Sequence, residues 1–130
     1  MLAVRRASAD DLDAVRQLLH DTWHATYDAT MGAELVDDIT SRWHSVDKLS
    51  RQLADPDGCF LVAENSSGSI VGHAGAIRKS ADVVSLARLY VLPELQGSGA
   101  GTALLIAVTD WAGRGTTIEL EVETANTQAI

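Results

Sequence analysis

A chain of 130 residues, 46% of them apolar, is the right size for one domain with a core of its own. Its formal net charge of −8 argues against nonspecific nucleic-acid binding, which rests on a basic surface. No apolar run approaches a membrane span, the first residues lack a signal core, and the single cysteine, Cys59, fits a reducing cytoplasm, so neither a membrane nor a disulfide enters the reading.

In chain order, Leu2 to Ala7 reads as a first strand. Ser8, with Asp11 after it, offers a helix start, and Leu12, Val15, Leu19, Trp23 and Tyr27 make one apolar stripe on a helix from Ala9 to Asp28. Gly32 breaks that helix. A second follows with Leu35, Val36, Ile39 and Trp43 on one face, and Ser45 caps a third carrying Val46, Leu49 and Leu53. Asp55-Pro56-Asp57-Gly58 is a stop and turn. Cys59 to Glu64 and Ile70 to Arg78 then form an antiparallel hairpin, thinned at Gly72 and Gly75 where a bulge or close approach is expected. Cys59 reads as a small apolar residue opening a strand rather than as a nucleophile.

Val83 to Leu92 is the next strand, and an apolar helix begins after Gly101. Between them lie Gly97, Gly99 and Gly101 at alternate positions. Strand, glycine turn and helix N-terminus together expose unpaired backbone N–H groups and a positive dipole end, a cradle for phosphate or pyrophosphate. A P-loop needs a lysine after its last glycine, but Gly101 is followed by Thr102. A dinucleotide fingerprint has Gly where Thr102 stands, although Glu119 and Glu121 lie about where its acid belongs. A Rossmann-like oxidoreductase is therefore the alternative enzyme. Gly113-Arg114-Gly115 ends the helix, and Thr117 to Val122 is the last strand.

Val91-Leu92-Pro93-Glu94-Leu95-Gln96-Gly97-Ser98-Gly99-Ala100-Gly101 resembles the acetyl-CoA signature of the GNAT N-acetyltransferase superfamily, with Gln96, Gly99 and Gly101 at its fixed positions. The order of elements also resembles that fold, an α/β (α+β) domain with a mixed, mostly antiparallel central sheet flanked by helices. The resemblance covers residues 1–130 as a single domain. The family fold normally continues with another helix and two strands, so we expect either that the last strand and cradle helix are covered by a second copy, as a homodimer with or without a swapped segment, or that the sequence is a fragment of a longer chain.

The resemblance implies acetyl transfer from acetyl-CoA to an amine acceptor by direct attack. The pyrophosphate would rest on the backbone of Gln96, Gly97, Ser98, Gly99, Ala100, Gly101 and Thr102, and the pantetheine arm along Leu89 to Val91. Related sequences carry a glutamate on the central strand where Ser85 stands here, which leaves Glu121, Glu123, His73 and Glu64 as base candidates, with Glu121 and His73 foremost. Trp23, His24 and Tyr27 are assigned to the acceptor cleft, against the simpler role of core filling. His20 and His24 stand one helical turn apart, but the sequence offers no third ligand nearby, so no metal is expected. A catalytically silent acyl-CoA-binding domain is the non-enzyme alternative.

Overall fold

The computed structural model describes residues 2–120. Strand β1 spans Ala3–Arg6; after a 3₁₀ turn at Ala9–Asp11 come α1 (Leu12–Met31), α2 (Ala33–Trp43) and α3 (Val46–Ala54). Strands β2 (Gly58–Glu64), β3 (Ile70–Ser80) and β4 (Val83–Val91) follow, then a 3₁₀ turn at Pro93–Leu95, α4 (Ala100–Ala112) and β5 (Thr117–Leu120). The expected elements are all present among the described residues. Each differs from its expected span by a few residues.

The sheet runs β1-β2-β3-β4-β5 in that spatial order. Its first three pairings are antiparallel, and only β4 with β5 is parallel. A parallel neighbour needs a crossover, and α4 supplies it. This mostly antiparallel order corrects the Rossmann-like alternative, which requires a doubly wound parallel sheet.

Alternation along the strands sends side chains to two different layers. One face holds Leu61, Ala74, Val84 and Leu86 against Leu104, Val108 and Ala112 of α4. The other holds Phe60 and Val62 against Leu12, Val15 and Leu19 of α1 and Leu49 of α3. Each fully buried leucine or valine contributes roughly 1.5–3 kcal/mol, and these two clusters hold the helices to the sheet.

Local chemistry sets the boundaries. The Ser8 N–H donates to Asp11 Oδ2 at 2.8 Å, and the Ser45 hydroxyl accepts from the Lys48 N–H at 3.3 Å. Gly32 ends α1 with φ of 87°. Gly72 meets α4 closely: a Cβ there would lie 3.0 Å from Leu104 Cδ1. The bulge near the second hairpin glycine falls between Gly75 and Ala76. On α2 the expected apolar face is corrected. Val36 and Thr40 point inward, whereas Leu35 and Trp43 are about half exposed, because helical spacing from Val36 selects Thr40 and not Leu35.

Candidate acetyl-CoA and acceptor site

β4 leads directly into the glycine turn. Leu92 N donates to Val71 O, Gln96 N to Pro93 O and Ser98 N to Leu95 O, so the early turn satisfies itself. From there the pattern changes. Among the described residues, the N–H groups of Gly97, Gly99, Ala100, Gly101 and Thr102 make no backbone hydrogen bond; the ladder of α4 resumes with Ala103 N donating to Gly99 O at 2.9 Å. Gly97 and Gly99 have φ of 90° and 93°, and a Cβ on either would meet no atom within 4 Å. Glycine is needed there for the left-handed backbone, and the space it leaves is open to a ligand. Gln96, Ser98 and Thr102 are exposed, whereas Ala100 is buried and anchors the turn to the core. Gly101 closes the connection to the strand, since a Cβ on it would stand 3.8 Å from Val91 Cγ2.

On the strand itself, β5 pairs with β4 only from Val83 to Leu86. The outer edge at Leu89 to Val91 therefore has no strand partner among the described residues. Leu89 and Val91 turn their side chains toward the α4 layer, and Tyr90 turns to the α1 layer. An unpaired edge beside an amide-rich turn offers an extended pantetheine arm main-chain partners, and offers its pyrophosphate a helix N-terminus.

The family model described as Acetyltransferase (GNAT) family matches residues 12–130. The chain belongs to the GNAT acetyltransferase family. An aminoglycoside N(6′)-acetyltransferase type 1 of Stenotrophomonas maltophilia is 37% identical over 75 residues, covering 51% of this chain and 48% of that protein. An uncharacterised N-acetyltransferase of Mycobacterium tuberculosis is 38% identical over 68 residues, covering 49% of this chain and 43% of that protein. The alignments thus span about half of each curated relative. In fold, the crystal structure of the PaiA N-acetyltransferase from Thermoplasma acidophilum in complex with coenzyme A aligns with a TM-score of 0.90 at 21% identity, covering 99% of this chain and 84% of that one.

Within this GNAT domain the other sequence-selected residues separate. His73 is fully buried on β3. Its Nδ1 donates to Leu61 O at 2.8 Å, and its Nε2 accepts from Arg88 Nε at 3.1 Å. Burial and the neighbouring Arg88 push its pKa down to about 3. With both nitrogens engaged, His73 positions Arg88 and has no lone pair for a substrate proton. Arg88 also donates to Gln52 Oε1 and lies over Phe60 with its guanidinium carbon 5.6 Å from the ring centroid. Burial lowers its pKa to about 10, so it stays charged at neutral pH. Sequence reasoning missed Arg88. Its signal was a cationic residue facing Gly75, where a Cβ would stand 2.9 Å from Arg88 Nη2. Glu64 is occupied with Arg5 at 3.3 Å, Ser85 is fully buried, and Glu121 and Glu123 lie outside the described residues. Cys59 is 3% exposed and burial raises its thiol pKa, which suits packing and not nucleophilic attack.

Trp23 and Tyr27 are 3% and 2% exposed and pack with Val36. The Trp23 indole N–H donates to Tyr90 Oη at 3.1 Å, fixing α1 to the C-terminal end of β4. Their side chains thus build the floor between α1, α2 and the sheet, a correction to their assignment as acceptor contacts. The accessible space lies beside them, a cleft of about 700 Å³ lined by Asp13, Arg16, His20, Asp37, Asp38 and His44 among others. His44 is 5% exposed, its Nδ1 has no hydrogen-bond partner among the described residues, and burial with nearby Arg88 pushes its pKa down to about 4. His24 is half-buried on α1. Partial burial opposes its charge, but hydrogen bonds to Asp37 and Asp28 outweigh that and raise its pKa.

Proposed function

We propose that this domain transfers an acetyl group from acetyl-CoA to an amine. The reading rests on the amides of Gly97, Gly99, Ala100, Gly101 and Thr102, which make no backbone hydrogen bond among the described residues and cluster in the turn between β4 and α4. The turn fits a diphosphate: two glycines with positive φ keep it free of Cβ atoms, and the dipole of α4 favours negative charge. Acetyl-CoA supplies an activated thioester. The chain's own part is to hold the diphosphate at Gln96–Thr102, to lay the pantetheine against Leu89 and Val91, and to direct a main-chain N–H near Val91 at the thioester oxygen. Glu121 is the proposed base for the acceptor ammonium, since His73 is committed to Leu61 and Arg88.

Asp13, Asp37 and Asp38 in the α1–α2 cleft support a cationic acceptor. The aminoglycoside acetyltransferase among the relatives makes aminoglycosides the first acceptors to screen, beside polyamines and amino acids. Exposed Leu105, Ile106 and Leu120 support self-association, so a homodimer, swapped or not, is part of the proposal, as is a cytoplasmic setting. No described helix is long and apolar enough to cross a membrane.

Titration calorimetry with acetyl-CoA tests the binding site, and thiol release with the acceptor panel tests transfer. Gly99→Glu places bulk and negative charge in the cradle and is expected to abolish acetyl-CoA binding. Unchanged affinity would remove the site. Binding without thiol release for any amine would favour the silent acyl-CoA binder.

A further inference from the structure

His20 and His24 stand one turn apart on α1, and the fold brings a third ligand to them that the sequence did not reveal. Asp37 projects from α2, so that one oxygen, Oδ1, lies 3.2 Å from His20 Nε2 and 2.7 Å from His24 Nε2. Ligating atoms of the three residues all lie within 4.8 Å of one another. Behind the rings, the other nitrogens are also engaged. His24 Nδ1 is 2.6 Å from Asp28 Oδ1, and His20 Nδ1 is 3.2 Å from Asp21 Oδ1.

This arrangement has the donor and acceptor pattern of a metal site. A ligating imidazole uses one nitrogen for the ion and donates its other N–H to a carboxylate, which fixes the tautomer and the ring direction. With the proton on Nδ1, each histidine has such a carboxylate behind it, Asp28 for His24 and Asp21 for His20. Their remaining nitrogens then converge on a single carboxylate oxygen. These nitrogens and that oxygen meet either through protons on Nε2 or around a shared cation. One divalent ion satisfies all three ligands at once.

We propose that His20, His24 and Asp37 bind a divalent transition-metal ion of the zinc class, clasping α1 to α2 at the rim of the acceptor cleft. Two imidazoles and a carboxylate are a zinc ligand set, with bonds of roughly 2.0–2.2 Å. Tetrahedral placement at those lengths separates ligand atoms by about 3.3 Å, so Asp37 Oδ1 has to draw back from His24 Nε2, now 2.7 Å away, while the ligating atoms that stand up to 4.8 Å apart draw together. His20 and Asp37 both line the cleft, which leaves the fourth position open to water or to an acceptor group. The site is independent of the acetyl-CoA cradle and stands or falls without it.

The test uses the whole chain, stripped by chelator and freed of any polyhistidine tag, titrated with Co²⁺ and then with competing Zn²⁺. One equivalent should bind with visible d–d absorption of a tetrahedral or five-coordinate site and be displaced by Zn²⁺, with a rise in thermal midpoint. His20→Ala and His24→Ala should each weaken Co²⁺ by well over tenfold, and Asp28→Asn by about tenfold or more. Asp38→Asn, an exposed neighbour on α2, should leave affinity within about twofold. Unaltered circular dichroism in the variants separates ligand loss from misfolding, and the paired Asp28 and Asp38 changes keep the test decisive if a histidine variant fails to fold. Lack of saturable Co²⁺ binding, or binding that survives the His20→Ala/His24→Ala double change, would overturn the proposal.

Discussion

Acidification should unfold this domain through two buried imidazoles. His44 and His73 are held neutral, with pKa values lowered to about 4 and about 3. In the unfolded chain each returns to about 6.5. A histidine whose folded pKa is depressed takes up its proton on unfolding, so stability falls with falling pH from about 6.5 down to the folded value. At pH 5 the unfolded chain binds about two more protons at these sites than the folded one, a slope of roughly 2–3 kcal/mol per pH unit. Integrated from pH 7 to 4.5 the loss is about 5 kcal/mol, comparable with the whole stability of a small domain. His24 does not interfere. Its folded pKa is raised, so its contribution is already complete below about pH 6.5 and is lost only on going more alkaline. Asp11, lowered to about 2 chiefly by its hydrogen bond from Arg5, contributes above its unfolded pKa and is lost only at lower pH still. Urea unfolding at half-unit pH steps measures the slope. His44→Phe should remove about half of it, because a ring of similar shape then fills the site without titrating. A stability change under about 1 kcal/mol from pH 7 to 4.5, or a slope that His44→Phe leaves intact, would refute the burial argument.

Two further outcomes follow from the same geometry. Leu104→Ala empties a fully buried site that touches Gly72 and should cost about 2–5 kcal/mol in urea unfolding at pH 7, since β3 and α4 already meet at a glycine and have little room to collapse. Arg88→Met removes the cation that helps depress both buried histidines, so the folded pKa of His73 should rise toward its ordinary value, read by the imidazole proton resonances in a pH titration, and the acid-induced loss of stability should end at a higher pH.

Most of the fold was legible because the signals were local. The period of Leu12, Val15 and Leu19, the breaker at Gly32 and the Asp55–Gly58 turn each act within a few residues of themselves. The glycine cradle was legible for the same reason: unpaired amides at a helix start follow from chain order alone. Residues that act across the fold were harder to read. Trp23 and Tyr27 sit on the inward stripe of α1, and nothing local says whether such a stripe faces a cleft or a floor. Arg88 gained its importance from Gly75, Phe60 and His73, which only strand register brings beside it. Asp37 is a further case, an exposed acid on one helix until α1 and α2 pack.

The common cause is that antiparallel register and helix pairing decide which side chains share a layer. Val62, His73 and Tyr90 lie across three neighbouring strands, and Trp23 reaches the last of them from α1. That chain of contacts joins the α1–α2 cleft to the strand whose outer edge offers a main-chain partner to an extended ligand. Neutral His73 holds Arg88 on this path, and Arg88 in turn depresses His44 at the cleft wall. Buried groups thus run from the α1–α2 cleft to β4, while the glycine turn with its unpaired amides follows the end of that strand. The division lets the turn keep its geometry through glycine conformation, while the side chains of α1 and α2 that line the cleft can change without disturbing it.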